Sequence, residues 1–478
     1  MRLFRAVTVT GVVLLFGLTL MAAQSWTPMT NRPKFLPTNP LLLGDGRVMA
    51  HDESRQDWWA LTPDINGSYL NGKWSRLASL PKGYAPFYFA SAVLPDSRVV
   101  VIGGEYNNGQ PAWTNLGAIY TPKTNTWKVL KAPPGWTQVG DAQSVVLSNG
   151  TFMVADCCTA QEALLDPKTL KWEGTGFGKA DINDEESWTL LPNGKVLTVD
   201  TNNSDVTNSE IYDPATGSWT SAGSTIVQLD DTKSHEIGPS ILRPDGTVLW
   251  TGATGHNAVY DTITSTWSAA PDFPIVSGRQ LDIADGPAAL LPSGNVLLMA
   301  SPGVYGMGAH FYEWDGFTFT EVPGTPDSAH DSSYFGNMLV LPTGQILFTD
   351  TTLDVELYSS TGNPDPSWAP TITKVATKLT RAKTYVVKGT QFNGLSQGAA
   401  YGDDVQAASN YPVVRLTNVA TGHVFYCFTY KPSSMGVATG GLIVSAHFTV
   451  PAKAERGASQ LEVVTNGIAS APVSVTIN

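Results

Sequence analysis

Acidic side chains and histidines recur at corresponding places along this chain, shortly before a series of two-residue turns. At or directly beside the position eight residues before such a turn stand Asp141, Glu185, Glu186, His235, Glu236 and Asp285. Carboxylates that crowd into a concave, partly dry site repel one another and acquire raised pKa values unless a cation or a hydrogen-bonding ligand meets them. The set therefore indicates either a divalent cation held by oxygen ligands or the recognition of a sugar or polyol.

Structural roles compete with these interpretations. Asp141 could cap the adjacent backbone, and the dipeptide His235-Glu236 is not part of an H-E-x-x-H metal motif. Glu185 and Glu186 could supply paired acids for glycosidic chemistry. Neighbouring residues of a strand point to opposite faces, so we expect only one of these two to reach the site.

The elements that must position these residues are short strands joined by tight turns. The second residue of each first turn recurs about every 50 residues, at Gly46, Ser97, Gly150, Gly194, Gly246, Gly294 and Gly344. Closing aromatic residues follow at Trp74, Trp127, Trp172, Trp219, Trp267, Phe319 and Trp368. These turns suit antiparallel hairpins. The pattern predicts an all-β chain with a seven-bladed kelch-type β-propeller, in which each closing Trp anchors one blade to its neighbour.

Two loops of such a blade open on the same face: the loop before the first strand and the loop between the second and third. Tyr106 and His256 lie in loops of the second kind, so we expect them to join the acidic cluster at the mouth of the ring. The N-terminal stretch around Trp26 resembles the closing strand of a repeat, but the other strands of that repeat do not precede it. It is expected to pair with the last blade, around Asn337–Tyr358, and to cover its exposed edge.

The rest of the chain divides into two further regions. Residues 1–23 combine Arg2 and Arg5 with an apolar run and Ala22-Ala23, a pattern that predicts a secretory signal peptide. The propeller is expected over residues 24–369. Residues 370–478 alternate short apolar runs with turns, which is typical of an immunoglobulin-like β-sandwich. No other apolar run is long enough to span a membrane.

Composition limits the environment and the partners. The net charge of −12 argues against a nucleic acid partner. The predicted signal peptide indicates a secreted, periplasmic or cell-surface protein. The chain has three cysteines, and Cys157 and Cys158 are adjacent, so either a vicinal disulfide or free thiols would fit. P-loop, Rossmann and G-x-S-x-G fingerprints are missing from suitable contexts.

The order of these parts resembles the galactose oxidase/kelch superfamily, and more specifically a group of uncharacterised exported bacterial kelch-repeat proteins. The resemblance is carried by stretches such as ASAVLPDSRVVVIGGEYN, NDEESWTLLPNGKVLTVD and QFNGLSQGAAYGDD. It implies the fold. It does not imply one activity, because kelch propellers include enzymes, ligand binders and interaction scaffolds.

For the oxidases, the resemblance implies a copper ion held by a Tyr-His pair, a second Tyr and a His from the C-terminal domain. Here Asp141 stands where the second Tyr would be, and Phe335 follows Tyr334 where a ligand His would stand. Copper(II) prefers nitrogen-rich sites, whereas carboxylates suit calcium or magnesium. Copper is therefore not expected, and a divalent cation such as calcium fits the residues better.

The sequence thus predicts an exported binding protein that takes a glycan or another polar extracellular ligand at an acidic propeller mouth. One alternative is a galactose-oxidase-like oxidoreductase or another carbohydrate-active enzyme. A second alternative is an extracellular protein-interaction scaffold with a protein ligand. Catalytic residues cannot be assigned from these patterns, and binding is favoured over catalysis.

Overall fold

A computed structural model describes residues 24–478 of the chain, and the signal peptide predicted for residues 1–23 lies outside the described residues. The described residues are all-β, with three short 3-10 helices at Ser328–His330, Ser333–Phe335 and Pro366–Trp368. Within this part of the chain, no helix is long and apolar enough to cross a membrane.

Antiparallel meanders of four strands follow one another from residue 37 to residue 359. In chain order, one meander after another, the strands are Pro37–Leu42, Val48–Asp52, Trp58–Thr62 and Lys73–Arg76; Ala90–Val93, Val99–Ile102, Gly117–Thr121 and Thr126–Leu130; Ser144–Val146, Phe152–Ala155, Glu162–Asp166 and Lys171–Thr175; Thr189–Leu190, Val196–Val199, Asn208–Asp213 and Ser218–Ser224; Ser240–Leu242, Thr247–Thr251, Asn257–Asp261 and Thr266–Ala270; Ala288–Leu290, Val296–Pro302, His310–Trp314 and Phe319–Val322; and Asn337–Val340, Ile346–Thr349, Val355–Ser359 with Ser25–Pro28.

Two small additions lie beside these meanders. A three-stranded sheet is formed by Pro86–Phe87, Tyr106–Asn107 and Gln110–Pro111. The hairpin Ile275–Val276 and Arg279–Asp282 extends the sixth meander. Because both additions lie on the loops before a first strand or after a second strand, they add to the same end of the molecule as the predicted mouth.

Within a meander, burial falls from the first strand to the last. In the first meander, Pro37–Leu42 is buried throughout, whereas Lys73–Arg76 is mostly exposed. First strands of neighbouring meanders contact one another, and Asn337–Val340 of the seventh contacts Pro37–Leu42 of the first. The meanders therefore surround a common centre, with their first strands facing it, in a propeller-like arrangement.

The closing aromatic residues tie neighbouring meanders together, as predicted. The indole Nε1 of Trp127 donates to the Ala78 carbonyl oxygen of the preceding meander at 2.9 Å, and Trp172 donates to the Lys131 carbonyl oxygen at 2.7 Å. Trp127 also lies beside Trp58 of the first meander, with ring centroids 5.6 Å apart. Trp127 and Trp172 therefore anchor their meanders to the preceding ones.

The N-terminal strand completes the seventh meander, as the sequence predicts. Trp26 pairs with Tyr358 in the antiparallel register, and its ring packs on Phe311 and Phe348. Its Nε1 donates to the Pro323 carbonyl oxygen of the sixth meander at 2.7 Å. Trp368 was predicted to close a meander, and this prediction is wrong. The residue lies in a 3-10 helix beyond the last strand.

Replacing Trp26 should weaken this closure. We expect Trp26→Ala to lower the free energy of unfolding by about 3 kcal/mol, because aromatic packing and one hydrogen bond to the sixth meander are lost. Urea denaturation followed by tryptophan fluorescence and circular dichroism would measure the change. Phe317→Ala is the control, since Phe317 is 81% exposed and should change the free energy by about 0.5 kcal/mol or less. Equal effects of the two changes would contradict this account of closure.

Residues 371–477 form two further sheets around a separate apolar core. One sheet contains Thr371–Lys374, Thr384–Thr390, Val444–Thr449 and Phe428–Tyr430. The other contains Lys378–Leu379, Val473–Ile477, Gly457–Thr465, Val413–Asn418, Val424–Tyr426 and Ile468–Ala469. Val387, Leu416 and Phe448 are fully or almost fully buried between them.

A segment of this C-terminal region enters the centre of the meanders. Within this channel segment, residues 396–411, Ala399 and Ala400 pair with the first strand of the sixth meander. The Gln397 side chain accepts a hydrogen bond from the Leu190 backbone of the fourth meander at 2.8 Å, and the Tyr411 hydroxyl donates to the Leu42 carbonyl oxygen of the first. The channel segment therefore touches first strands on several sides of the centre.

Candidate ligand-binding cavity

A cavity of about 320 Å³ opens where the channel segment meets the loops that precede the first strands. Its lining is formed by Tyr88, Glu105, Tyr106, Asp141, Glu185, Ser234, Glu236, Asp285, Tyr305, Tyr334, Asp403 and Asp404. Seven of these residues carry carboxyl groups and four carry phenols. Among the described residues, no Lys, Arg or His side chain lines this cavity.

Five of the predicted site residues meet here: Tyr106, Asp141, Glu185, Glu236 and Asp285. They come from five different stretches of the chain. In one group, a carboxylate oxygen from each of Asp141, Glu185 and Asp403 lies within 4.8 Å of the other two. In a second group, a carboxylate oxygen from each of Glu185, Glu236 and Asp285 does so. The common position before the first strand therefore brings carboxylates of separate meanders together.

Glu186 does not reach the cavity, which corrects its predicted place. Its side chain is completely buried outside the cavity lining, with Oε1 2.6 Å from the Nζ of Lys179. Its Oε2 accepts a hydrogen bond from the Thr198 hydroxyl at 2.9 Å. Glu185 and Glu186 lie in the loop before the strand Thr189–Leu190, and Glu185 has a left-handed φ of 58°. This local turn, rather than the alternation of a strand, separates the two side chains.

The two histidines predicted for the site also lie elsewhere. His235 has a left-handed backbone with φ of 64°, and its Nδ1 lies 2.9 Å from the carbonyl oxygen of Thr201. This turn directs the next residue, Glu236, into the cavity instead. His256 is exposed and pairs with Asp272 at 2.8 Å. His256 does not line the cavity, so its place in the repeat did not predict the position of its side chain.

Asp403 and Asp404, which belong to the channel segment, also line the cavity and were not among the predicted site residues. Both are almost fully buried, with 2% and 1% of their surface exposed. The backbone N–H of Asp404 donates to Asp403 Oδ1, and that of Val405 donates to Asp404 Oδ1, each at 2.7 Å. The stretch QFNGLSQGAAYGDD contains both residues. This stretch lies outside the repeats, so no repeat position predicts where its carboxylates point.

Close packing fixes the channel segment against the cavity wall. A Cβ atom at Gly402 would lie 1.9 Å from Asp285 Oδ1, so no larger residue fits there without displacing that carboxylate. The Tyr401 hydroxyl donates to the Tyr334 carbonyl oxygen at 2.7 Å. Asp403 and Asp404 therefore directly follow two residues that pack against the cavity wall.

Burial and mutual repulsion raise the pKa values of the cavity carboxyl groups. Burial, followed by repulsion from Glu105, raises the pKa of Asp141 to about 7. Burial raises the pKa of Glu185 well above its usual value, and Glu236 adds to this. The pKa values of Asp285 and Asp403 are raised in the same way. A positively charged or hydrogen-bond-donating ligand would relieve this repulsion.

A disulfide lies directly behind Asp141. Cys157 and Cys158 form a vicinal disulfide, and Cys427 is free and buried in the C-terminal core. Gly140 has φ of 70°, and a Cβ atom there would lie 2.5 Å from Cys157 Sγ. The residue before Asp141 must therefore be glycine for the loop to pack against the disulfide.

A second acidic cluster, beside the fourth meander, contains its own cation. The Nζ of Lys179 lies 2.6 Å from Asp181, 2.6 Å from Glu186, 2.9 Å from Glu210 and 3.4 Å from Asp200. All five side chains are at most 5% exposed. We refer to these residues as the Lys179 cluster. The protein itself neutralises this cluster, whereas it places no basic residue in the cavity lining.

The donor atoms of the cavity do not fit the copper centre that the resemblance implies. None of the seven histidines of the chain lines the cavity, and neither do its cysteines. From the C-terminal region, the cavity receives Asp403 and Asp404, while His423 pairs with Glu455 at 2.7 Å elsewhere. Copper(II) favours imidazole nitrogen in a tetragonal arrangement, and this set offers carboxylate and phenol oxygens.

Comparisons with known proteins agree with this architecture. No protein-family model matches the chain. The Kelch-like protein terF of Aspergillus terreus (strain NIH 2624 / FGSC A1156) is 26% identical over 127 residues, which is 26% of each chain. The match thus spans about a quarter of the length of this curated relative.

Solved structures share the fold at low sequence identity. A fungal alcohol oxidase of the AA5 family, in complex with copper, has a TM-score of 0.53 and 13% identity, over 96% of this chain and 99% of that one. The extracellular domain of a putative hybrid two-component system from B. thetaiotaomicron has a TM-score of 0.51 and 10% identity, over 76% of this chain and 44% of that one. Identities this low show the fold alone.

These findings define the class of protein as all-β and propeller-like. Over about a quarter of its length the chain is also similar to a kelch-like protein.

Proposed function

We propose that this chain is an exported, seven-bladed kelch propeller followed by an immunoglobulin-like sandwich, and that it binds a glycan in its acidic cavity. The observation that supports the proposal is the lining of the cavity, in which seven carboxyl groups and four phenols converge without a basic side chain. Carboxylates accept hydrogen bonds from sugar hydroxyl groups, and the volume of about 320 Å³ lies in the range of small-molecule sites.

The domain boundaries of the proposal follow the sheets. Residues 24–369 would form the propeller and residues 370–478 the sandwich, with the channel segment joining them. Export rests on the signal pattern of residues 1–23 and would place the protein in the periplasm, at the cell surface or outside the cell. The cavity lining also supports glycan binding over a copper oxidase, because the donor atoms do not suit copper.

The polar walls of the cavity suit a hydroxyl-rich ligand better than an apolar one. Tyr305 donates a hydrogen bond to Glu236 Oε1. Such a pair can both accept from and donate to sugar hydroxyls. Tyr305 is 49% exposed at the entrance, so its ring face is available to a ligand.

A glycan array followed by calorimetry would test the proposal. We expect the wild-type protein to bind a defined set of carbohydrates. The double variant Asp141→Asn/Glu185→Gln should bind them at least about tenfold more weakly, which corresponds to about 1.4 kcal/mol. Asp272→Asn is the matched control, because it removes an exposed carboxylate remote from the cavity.

Each other outcome decides between the alternatives. If the wild-type protein binds no carbohydrate with calcium present, the proposed function is wrong. Cleaved or oxidised sugar products would instead favour the alternative of a carbohydrate-active enzyme. Equal loss of binding in the double variant and in Asp272→Asn would place the ligand outside the cavity.

A further inference from the structure

Two groups of three carboxylates in the cavity have the dimensions of cation sites and share one residue. The first group is Asp141, Glu185 and Asp403, and the second is Glu185, Glu236 and Asp285. Within each group, one oxygen of every carboxylate lies within 4.8 Å of the others. Oxygens bound to one calcium ion at about 2.3–2.6 Å can be at most about 5 Å apart, so each group can surround one ion.

Each group also contains a buried carboxylate oxygen without a partner. Asp403 Oδ2 and Glu236 Oε2 have no hydrogen-bond partner, and their residues are only 2% and 6% exposed. The other oxygen of each carboxylate is held in place, because Asp403 Oδ1 accepts from the Asp404 backbone and Glu236 Oε1 accepts from Tyr305. Since unpartnered buried carboxylate oxygens are costly, these two atoms indicate that something outside the chain binds them.

The Lys179 cluster provides a comparison within the same molecule. Asp181, Asp200 and Glu210 form a carboxylate group of similar dimensions, and the Nζ of Lys179 lies within 3.4 Å of each. In that cluster the chain supplies the positive charge. The two cavity groups have similar dimensions, but the cavity lining lacks a basic side chain that could take the place of Lys179.

The backbone holds the shared residue in an unusual conformation. Glu185 and Asp285 have φ values of 58° and 50°, in the left-handed region that favours glycine. Such conformations persist only where the surrounding contacts impose them, and they concentrate at functional sites. Here they direct two carboxylates from different meanders toward each other.

We propose that the cavity binds two divalent cations of the calcium type, with Glu185 as the bridging ligand. Asp141 and Asp403 complete one site, and Glu236 and Asp285 complete the other. Five carboxylates around two divalent ions would nearly balance in charge. Because calcium takes six to eight oxygen ligands, three carboxylates per ion leave positions for water or for sugar hydroxyls. The inference deepens the proposed function and rests on it in one respect, since both place the ligand in this cavity.

The number of bound ions tests the inference directly. The full secreted chain is freed of metal with EDTA, exchanged into chelator-free buffer at pH 8 and titrated calorimetrically with calcium chloride alone. We expect two ions per wild-type chain and none for Glu185→Gln, because that change removes a ligand from both sites. Asp403→Asn and Glu236→Gln should each leave one ion, and Asp272→Asn should leave two.

Several results would overturn the inference. A single ion or none in the wild-type chain would do so, and so would two ions in Glu185→Gln. Circular dichroism spectra check that each variant is folded. If Glu185→Gln does not fold, the two variants that each lose one ion still decide the outcome, because retention of both ions in both variants contradicts the proposal.

The same preparations separate this inference from the proposed function. Glycan binding that persists in EDTA, with no calcium bound in the titration, would contradict the cation sites and leave glycan binding intact. Two bound ions without any carbohydrate on the array would contradict glycan binding and support the cation sites.

Discussion

Lys179→Met is expected to destabilise the protein by about 3–5 kcal/mol at pH 8, because it leaves buried carboxylates without their positive partner. Burial alone would lower the pKa of Lys179, but attraction to Glu186, Asp200, Asp181 and Glu210 outweighs it and raises the pKa well above its usual value. Methionine keeps most of the volume of the side chain, so the expected loss is electrostatic. Urea denaturation at 25 °C would measure it.

The loss should shrink as the pH falls. Without Lys179, the carboxyl groups of the cluster can become neutral by taking up protons, so we expect a much smaller effect at pH 5 than at pH 8. The double variant Lys179→Met/Glu186→Gln should recover part of the stability at pH 8. Coupling of this kind is what a buried network predicts.

Lys195→Met is the matched control. Lys195 pairs with Asp213 at 3.0 Å, but both side chains are about a third exposed. Exposed pairs contribute about 0–1 kcal/mol, so this change should be nearly neutral. Similar losses for the two lysine variants, or a loss in Lys179→Met that does not depend on pH, would contradict the electrostatic account of the cluster.

Much of the fold could be predicted because its signals are local. Tyr120 and Trp127 lie directly opposite each other across one tight turn, so their spacing reports the geometry of a hairpin. Trp26 could be assigned to a distant partner strand because its stretch repeats the closing pattern of the other units. The placement of Trp368 was wrong because its stretch offers an aromatic residue without a pairing strand.

The site could be predicted only in part. Asp141, Glu185 and Asp285 share one position in the repeat, and position alone was enough to bring them together. The contribution of Asp403 depends on the pairing of Ala399 with Ala289, a contact between distant parts of the chain that no repeat encodes. Lys179 gave no signal at all, because a single lysine in a loop does not reveal which carboxylates will surround it.

His235 shows a further limit of sequence patterns. The offset from the turn placed both His235 and Glu236 close to the centre, which was correct for their backbone. Which of the two points inward depends on the left-handed φ of 64° at His235. A non-glycine residue in that conformation is uncommon, so an extended strand was the natural expectation.

A second large change in the free energy of unfolding is expected when the pH is raised. Burial, followed by repulsion from Asp350, Asp354 and Asp327, raises the pKa of Glu356 to about 8, although Arg32 opposes the shift. Glu356 is only 1% exposed, and its Oε2 has no hydrogen-bond partner. Burial likewise raises the pKa of Glu162 to about 8, although Trp219 donates a hydrogen bond that lowers it.

The direction of the pH effect follows from proton uptake. Below the unfolded pKa of about 4.5, both states carry the proton on Glu356, and the pH has no effect through this group. Between this value and about 8, the folded protein still holds a proton that the unfolded chain has released. Raising the pH through this window therefore favours unfolding. The metal-free protein should be less stable at pH 9 than at pH 5.

Glu356→Gln should remove one part of this slope, because glutamine resembles the protonated acid and does not titrate. We expect the variant to match the wild type near pH 5 and to exceed its free energy of unfolding at pH 9 by on the order of 4 kcal/mol, since each pKa unit corresponds to about 1.4 kcal/mol. Urea denaturation at both pH values, with EDTA present so that cations do not mask the repulsion, would measure the difference.

Glu455→Gln is the control of opposite sign. Hydrogen bonds from Thr421 and His423 lower the pKa of Glu455, so its replacement should bring no gain at pH 9. The free energy of unfolding of Glu356→Gln could instead fall with pH as steeply as that of the wild type. This result would show that Glu356 is already ionised at neutral pH. In that case a positive charge other than Arg32 must lie close to it, and the repulsion from Asp350 and Asp354 would be neutralised in the folded protein.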